Sequence, residues 1–515
     1  MLFFIERNML SPSYLDSLPN NLVLLFQQAE DDILRDVARR IGKMDALTPT
    51  ANWQLWRYQQ TEAVRKDVVK LLARYTGKSE AEIRRLMQEA AAAALEAEDE
   101  IYYHYGKEPT PFEESAPLQN LLNAGYRQTA GSFSNLTATT ANTVSGAFEQ
   151  ALDRAWLQVS SGTFDYKTAV KRAVDGLADS MPYVTYPSGH RDTLEVACRR
   201  AVLTGVNQTG AKLQEARMDE MGASFVEVTA HGGARPSHAV WQGRHYHRGG
   251  AVDYLGQHYE DFESATGYGT GAGLCGWNCR HTFFVVFPEL GSPPAWTQES
   301  LEALNARNIE YNGQKYTRYE ISQMQRARER AVRKWKRRYL AEDAAGADTT
   351  ASAVKLRQAR QSLADFTRAT GGRVDSARTS VHGFGRSEGS KASYAARKQE
   401  RFNAANTELQ QMREAGTIKA KGRLIESPSA PNEINFASDH VLQRWAERDM
   451  GPMDAERIIR SSKVAMSQRN GTQTCYYSEL GFVAIGQDGN VSSIGPLDEG
   501  GKKLMEVVKK HGIPH

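Results

Sequence analysis

The chain has 515 residues, a formal net charge of +3 and 40% hydrophobic residues, with a mean hydropathy of −0.56. Its length exceeds what one ordinary core supports and predicts about three or four domains, while the near-balanced charge excludes a polycation, so any nucleic-acid surface must be local. Four cysteines are too few for a disulfide framework and fit a reducing cytoplasm during synthesis; the Leu2–Ile5 run is broken by Glu6 and Arg7, and no stretch approaches a signal h-region or the roughly twenty apolar residues of a membrane span.

Apolar residues at Leu22, Leu25, Phe26, Ala29, Ile33, Val37 and Ile41 follow the three-and-four spacing of a helix with one buried face and predict a helix from Leu22 to Met44. A second helical pattern covers Trp53 to about Tyr75. Ser79 with Glu82 forms a capping-box signature for a third, running to Tyr105 and ended by Glu108–Pro111. Further patterns begin near Leu118, Ser145 and Tyr166, so residues 1–185 read as an elongated, all-helical domain. Trp53, Trp56 and Tyr58 read as helix packing rather than a ligand platform. From Gly189 a long helix with Leu194, Cys198, Val202, Val206 and Leu213 on one side leads through Gly222 to a strand, Phe225–Thr229, and Thr282–Phe287 reads as another. Residues 186–310 are thus expected to form a small α+β domain, with Cys198 in its core.

Between these two strands the composition changes. From His231 to His281 lie six of the twelve histidines and two of the four cysteines, with a run of glycines that only an ordered, tightly turned loop needs. Cys275, Cys279 and His281 can converge on one ion if the backbone turns at Gly273, Gly276 and Asn278; the fourth ligand expected is His238, since Ala234–His238 should turn directly after the first strand. Four protein ligands would make a closed, structural zinc site. The competing reading is a pair of buried reduced thiols beside histidines that pack or cap, because the paired CxxC spacing is absent.

The strings YPSGHRDTLEVACRRAVLTGVNQTG from Tyr186, VTAHGGARPSHAVWQGR and TGYGTGAGLCGWNCRHTF resemble the tailed-phage minor capsid protein 2 family, a relative of the Mu-type minor head morphogenesis proteins. The resemblance covers residues 1 to about 385. The wider group often carries CxxC and HPxCRC in these places; here Arg235–His238 and Cys279–His281 stand there, an altered ligand set. The resemblance implies a virion protein with phage portal and capsid proteins as partners, acting in head morphogenesis or genome delivery.

After Pro288 the chain turns basic: from Thr317 to Leu340 there are nine Lys or Arg against two Glu. An apolar stripe at Ile321, Met324, Ala331, Trp335 and Tyr339 marks a helix, which returns through Thr350–Thr370, giving a basic hairpin over residues 311–385. Arg326, Arg330, Arg333, Lys334, Arg337 and Arg338 are its candidate contacts to packaged DNA, where each would neutralise a phosphate; the alternative is a solvated helix face. Residues 386–430 read as linker around one helix near Ser393–Glu414. In residues 431–515, helices are expected at His440–Arg448 and from Asp454, followed by strands Thr472–Tyr477, Gly481–Ile485 and Val491–Ile494, with Asp488–Gly489 turning the last hairpin. This order and the string HVLQRWAER resemble compact toxin-like ribonucleases grouped with RelE and barnase. The resemblance implies metal-independent RNA cleavage: His440 as the proton-transfer group, Arg444 stabilising phosphorane charge and Arg448 supporting it, all on one helix face, with Tyr476 or Tyr477 assisting from the facing strand.

The fold expected is therefore multidomain: a mainly α N-terminal region, a central α+β domain with Gly/His/Cys-rich loops, and a C-terminal α+β domain with an antiparallel sheet. The function expected is that of a phage minor capsid protein; the alternative is a ribonuclease effector delivered with the virion. No Walker loop or HEXXH string suggests a motor or a zinc protease.

Overall fold

The computed structural model describes residues 10–44, 50–180, 183–186, 189–428, 434–436, 442–443 and 447–514. They fall into two compact units, Met1–Arg386 and Ser387–His515.

The first unit begins with α1 (Pro12–Ser17) and α2 (Asn20–Gly42), which buries Leu22, Phe26, Ile33, Val37 and Ile41 as the periodicity requires. The two helices expected from Trp53 to Tyr105 are one, α3 (Thr50–His104). Ser79 is no cap: its hydroxyl is buried and donates to the Thr76 carbonyl at 2.7 Å, a bond made inside a helix, and Glu82 pairs with Arg85 at 2.7 Å. The patterns near Leu118 and Ser145 likewise belong to one helix, α4 (Ala116–Ser160), followed by α5 (Tyr166–Ser180). Trp53 is core, stacked on Trp56 at 5.3 Å and on Trp156 at 6.0 Å, whereas Tyr58 is exposed. A short ladder of β1 (Tyr183–Thr185) and β2 (Arg191–Thr193) precedes α6 (Leu194–Met221), which is N-capped by the Thr193 hydroxyl, packs against α2, α3 and α4, and buries Cys198 completely.

The central sheet grows from the end of α6. Strand β3 (Phe225–Val228) lies between β4 (His245–His247) and β7 (Phe283–Val285), both antiparallel to it. The chain from β3 to β7 contains α7 (Pro236–Ala239), the hairpin β5 (Val252–Tyr254) and β6 (Gln257–Tyr259), and α8 (Phe262–Thr266). Beyond it come α9 (Gln298–Asn305), the hairpin β8 (Ile309–Tyr311) and β9 (Gln314–Tyr316), the basic helix α10 (Arg318–Ala344), α11 (Thr350–Thr370) and α12 (Ser376–Thr379). Helix α10 starts on a complete capping box, Thr317 with Glu320, and packs on α2, α5 and α11.

In the second unit α13 (Arg386–Glu414) leads to β10 (Arg423–Glu426), then α14 (Pro452–Ser461), β11 (Val464–Gln468), β12 (Gln473–Ser478), β13 (Gly481–Gly486), β14 (Val491–Gly495) and α15 (Glu499–Lys510). The strands form one five-stranded antiparallel sheet in chain order. Side chains alternate between its faces: Val464, Met466, Cys475 and Tyr477 pack with Phe402 and Leu409 of α13 and Leu504 and Val508 of α15, while Ala465, Tyr476 and Val483 pack with Ile458 and Ile459 of α14. Two strands beyond the three expected, β10 and β11, complete this sheet. Of the helix expected at His440–Arg448, His440 and Arg444 lie outside the described residues.

Candidate metal centre

The two central strands hold both ends of the histidine- and cysteine-rich segment. Thr229 N–H donates to the Thr282 carbonyl, and Thr282 N–H donates to the Thr229 hydroxyl, both at 2.9 Å. Pro236 starts α7 just after β3 and so places His238 in a first turn facing the strand ends. On the other side the chain folds tightly on itself: a Cβ on Gly273 would lie 2.0 Å from the Gly267 carbonyl oxygen, and one on Gly276 would lie 2.5 Å from that of Gly271. Cys275 and Asn278 take φ of 57° and 54° in this turn. Asn207 of α6 then fixes the ligand segment by donating its side-chain amide to the carbonyls of Cys279, at 3.1 Å, and His281, at 3.0 Å.

Three of the four expected ligands converge. His238 Nδ1 and His281 Nδ1 are 3.4 Å apart, and Cys279 Sγ lies 3.7 Å from the first and 3.6 Å from the second. All three residues are buried. A cation bonded to imidazole nitrogen at about 2.0–2.1 Å and to thiolate sulfur at about 2.3 Å, with tetrahedral angles, would need edges of about 3.3 Å and about 3.5 Å. The triangle has those dimensions. Cys275 is the exception: its thiol is directed at the His281 carbonyl, 3.6 Å away, and it is not one of the converging ligand atoms.

The outer partners decide what the triangle presents. His281 Nε2 is 3.0 Å from Gln242 Oε1, and the same oxygen accepts from His231 N–H at 3.1 Å while the Gln242 amide nitrogen donates to Asn305. An oxygen can only accept, so His281 carries its proton on Nε2. His238 Nε2 faces the Ala272 carbonyl at 2.9 Å and is protonated for the same reason. Both rings therefore turn an Nδ1 lone pair inward. A metal-binding histidine is oriented in this way, by a hydrogen bond from its other nitrogen.

Burial keeps the groups uncharged. It pushes His238 down to about 4 and His281 well below its ordinary value, where the neighbouring His231 and His238 act in the same direction. It also raises the thiols of Cys279 and, further, Cys275. One thiol hydrogen can serve only one of two lone pairs held 3.4 Å apart, whereas a cation at the centre serves all three donors. His231 stacks on His281 at 4.3 Å and Trp241 packs on both ligand rings. Gln242, Asn207 and His231 were not singled out by sequence; the only hint was the four-residue spacing from His238 to Gln242 across α7 and its end.

The cationic side chains of α10 point largely inward. Arg337 pairs with Glu30 at 2.7 Å and Asp31 at 3.0 Å; Arg333 pairs with Glu195 and Glu30; Arg338 pairs with Asp175, Asp179 and Glu342. Lys334, though exposed, lies 3.0 Å from Asp179. The basic stripe thus answers acids on α2, α5 and α6. Arg330 is exposed, and Arg326 turns into a cavity lined by other arginines. In the second unit Arg448 Nη1 donates to the Ile494 carbonyl, tying its segment to β14, and Tyr476 and Tyr477 are buried on opposite faces of the sheet.

A long-helix scaffold with a small sheet closed over three buried ligand atoms defines a helical protein built around one candidate metal centre. Residues 10–368, well over half of the 515-residue chain, match the family described as Phage minor capsid protein 2, and the chain belongs to that family. It is a phage head protein. The match spans both ligand segments and α10 and ends before the five-stranded sheet. No curated protein and no solved structure matches the chain, and among the described residues no helix is long and apolar enough to cross a membrane.

Proposed function

We propose that the protein is incorporated into the procapsid beside the portal and acts there in head morphogenesis or genome delivery, with its central domain locked by one zinc ion on His238, Cys279 and His281. The family match over residues 10–368 carries the first half of this reading; the inward-facing lone pairs of two buried imidazoles beside a thiol carry the second. Nitrogen and sulfur donors in a tetrahedral arrangement suit zinc. With three converging ligands the fourth position falls to Cys275 or to water. Zinc would tie β3, α7 and β7 together through their connecting loops, and this binding would add directly to the stability of the fold. Contact of α10 with packaged DNA falls to Arg330 and Lys334, the exposed members of its six candidate cations.

Mass analysis of purified procapsids and virions, before and after DNA ejection, tests the placement. The protein is expected in both particles, and crosslinking in the procapsid should join it to the portal. Absence from both particles rejects the proposal.

A second reading concerns residues 431–515. The antiparallel sheet packed against helices supports a metal-independent endoribonuclease with His440 and Arg444 as its acting groups, and with Arg448, tied to β14, in a supporting place. An effector delivered with the virion would then be part of the same chain. RNA cleavage by residues 387–515 in the presence of chelator tests it; RNA left intact rejects it.

A further inference from the structure

A cavity of about 640 Å³ lies between α6, α10 and the loop that carries the metal ligands, all within the first unit. Eight arginine or lysine side chains line it against four carboxylates. Four of the cations, Arg199, Arg280, Arg326 and Arg378, belong to four separate segments. Their principal shared counter-charge is one carboxylate, Asp16, which lies 3.7 Å from Arg280 and 3.5 Å from Arg378. Arg378 also reaches Asp375 at 3.1 Å and Glu329 at 3.9 Å. Among the described residues Arg199 bonds only to neutral oxygens, the Asp16 carbonyl and the Asn20 side chain, both at 3.0 Å. Arg326, which is half-buried, makes no hydrogen bond or ion pair among the described residues.

That arrangement is unfavourable as it stands. Burial and the fields of Arg378, Arg280 and Arg199 together push the Arg326 guanidinium down to about 10. A half-buried cation that faces three other cations and has no carboxylate of its own is disfavoured until it gains a counter-charge. Three arginines further along α10 have theirs: Arg337 and Arg333 meet Glu30, and Arg338 meets Asp175. An anion in the cavity would supply what Arg326 lacks. Guanidinium groups converging from several elements suit the tetrahedral, multiply charged oxygens of a phosphoryl group, which two or three forks can hold at once. The concave shape admits a small ligand and sets this place apart from an exposed basic stripe on duplex DNA.

We propose that the cavity bounded by Arg199, Arg280, Arg326 and Arg378 is a binding site for a small, multiply charged phosphoryl anion of the pyrophosphate or nucleotide class. Nothing in the head-protein reading requires this site. Because Arg280 stands between Cys279 and His281, a bound anion would also brace the ligand loop against α10 from outside the metal centre.

The test titrates pyrophosphate into the metal-replete full-length protein by calorimetry in chloride buffer of fixed ionic strength, with a single-stranded oligonucleotide as a second probe. Wild type is expected to bind one pyrophosphate. Arg326→Gln should weaken binding at least tenfold, and Arg326→Lys, which keeps the charge, should retain part of it. Without ligand, Arg326→Gln should melt no lower than wild type, because it removes a cation repelled by three others; a structural role for Arg326 predicts a lower melting temperature. Heats indistinguishable from the chloride blank, or Arg326→Gln binding as tightly as wild type, overturn the proposal. Arg326-dependent binding of the oligonucleotide without binding of pyrophosphate also overturns it, since the ligand would then be a nucleic-acid strand.

Discussion

The neutral imidazole of His238 makes a quantitative demand on stability below neutral pH. Burial lowers its folded-state pKa from 6.5 to about 4, so between those values the unfolded chain binds a proton that the folded chain does not. Its contribution is therefore fully present above pH 6.5 and is lost progressively as pH falls towards 4. For one group with this shift, the loss between pH 7 and pH 5 is about 2 kcal/mol. His238→Gln removes the titrating ring while its amide keeps a donor for the Ala272 carbonyl; it also gives up packing on Trp241, at a cost that does not depend on pH. The assay is urea unfolding of both proteins at pH 7, 6 and 5 with chelator present. Tryptophan fluorescence reports on the first unit, which holds seven of the eight tryptophans. Wild type should lose about 2 kcal/mol more than the variant over this range. Equal losses in the two proteins would show that His238 is not held neutral and would remove the basis for its inward-facing lone pair.

The thiols should separate by role: Cys279→Ser should abolish metal retention, whereas Cys275→Ser, whose sulfur faces the His281 carbonyl, should lower the affinity but keep the ion, as read by metal analysis after dialysis. Glu98 is fully buried and pushed up to about 8 by that burial, so its folded form holds a proton that the unfolded chain releases above pH 4.5, and stability falls as pH rises towards 8. Glu98→Gln should thus be more stable than wild type by roughly 1–3 kcal/mol at pH 8, and by much less at pH 5, in urea unfolding. Arg337→Met removes the ion-pair partner of buried Asp31 and the nearer of the two arginines on buried Glu30, and should cost about 3–5 kcal/mol in the same assay; a neutral result would return α10 to a solvent-facing role.

Much of the centre was legible because its donors are close in sequence and of distinctive type. Cys279 and His281 are two residues apart, and His238 follows a strand whose neighbour delivers the other two ligands. What sequence could not supply was direction. The spacing of Cys275 suggested a ligand as strongly as that of Cys279, and only the positive φ at Cys275 and the close packing of Gly273 on Gly267 decide that its sulfur faces a carbonyl. Gln242 and Asn207 acquire their roles from closure in space. The basic helix shows the same limit on a larger scale. Its periodicity placed α10 correctly, but the acids that neutralise Arg333 and Arg337, Glu30 and Asp31, lie some three hundred residues earlier in the chain. Composition counts such charges without showing which way they face. The capping signature at Ser79 failed because local preference yields where neighbouring helices bury the residue.

His238, Cys279 and His281 are expected to hold a metal ion in the assembled fold. Elemental analysis of the full-length protein, purified without chelator or added metal, tests it most directly. About one zinc per chain is expected, with a tetrahedral nitrogen and sulfur shell in X-ray absorption and loss of the ion in His281→Ala. Protein that is folded and active in head assembly yet carries well below one equivalent of any transition metal would contradict it.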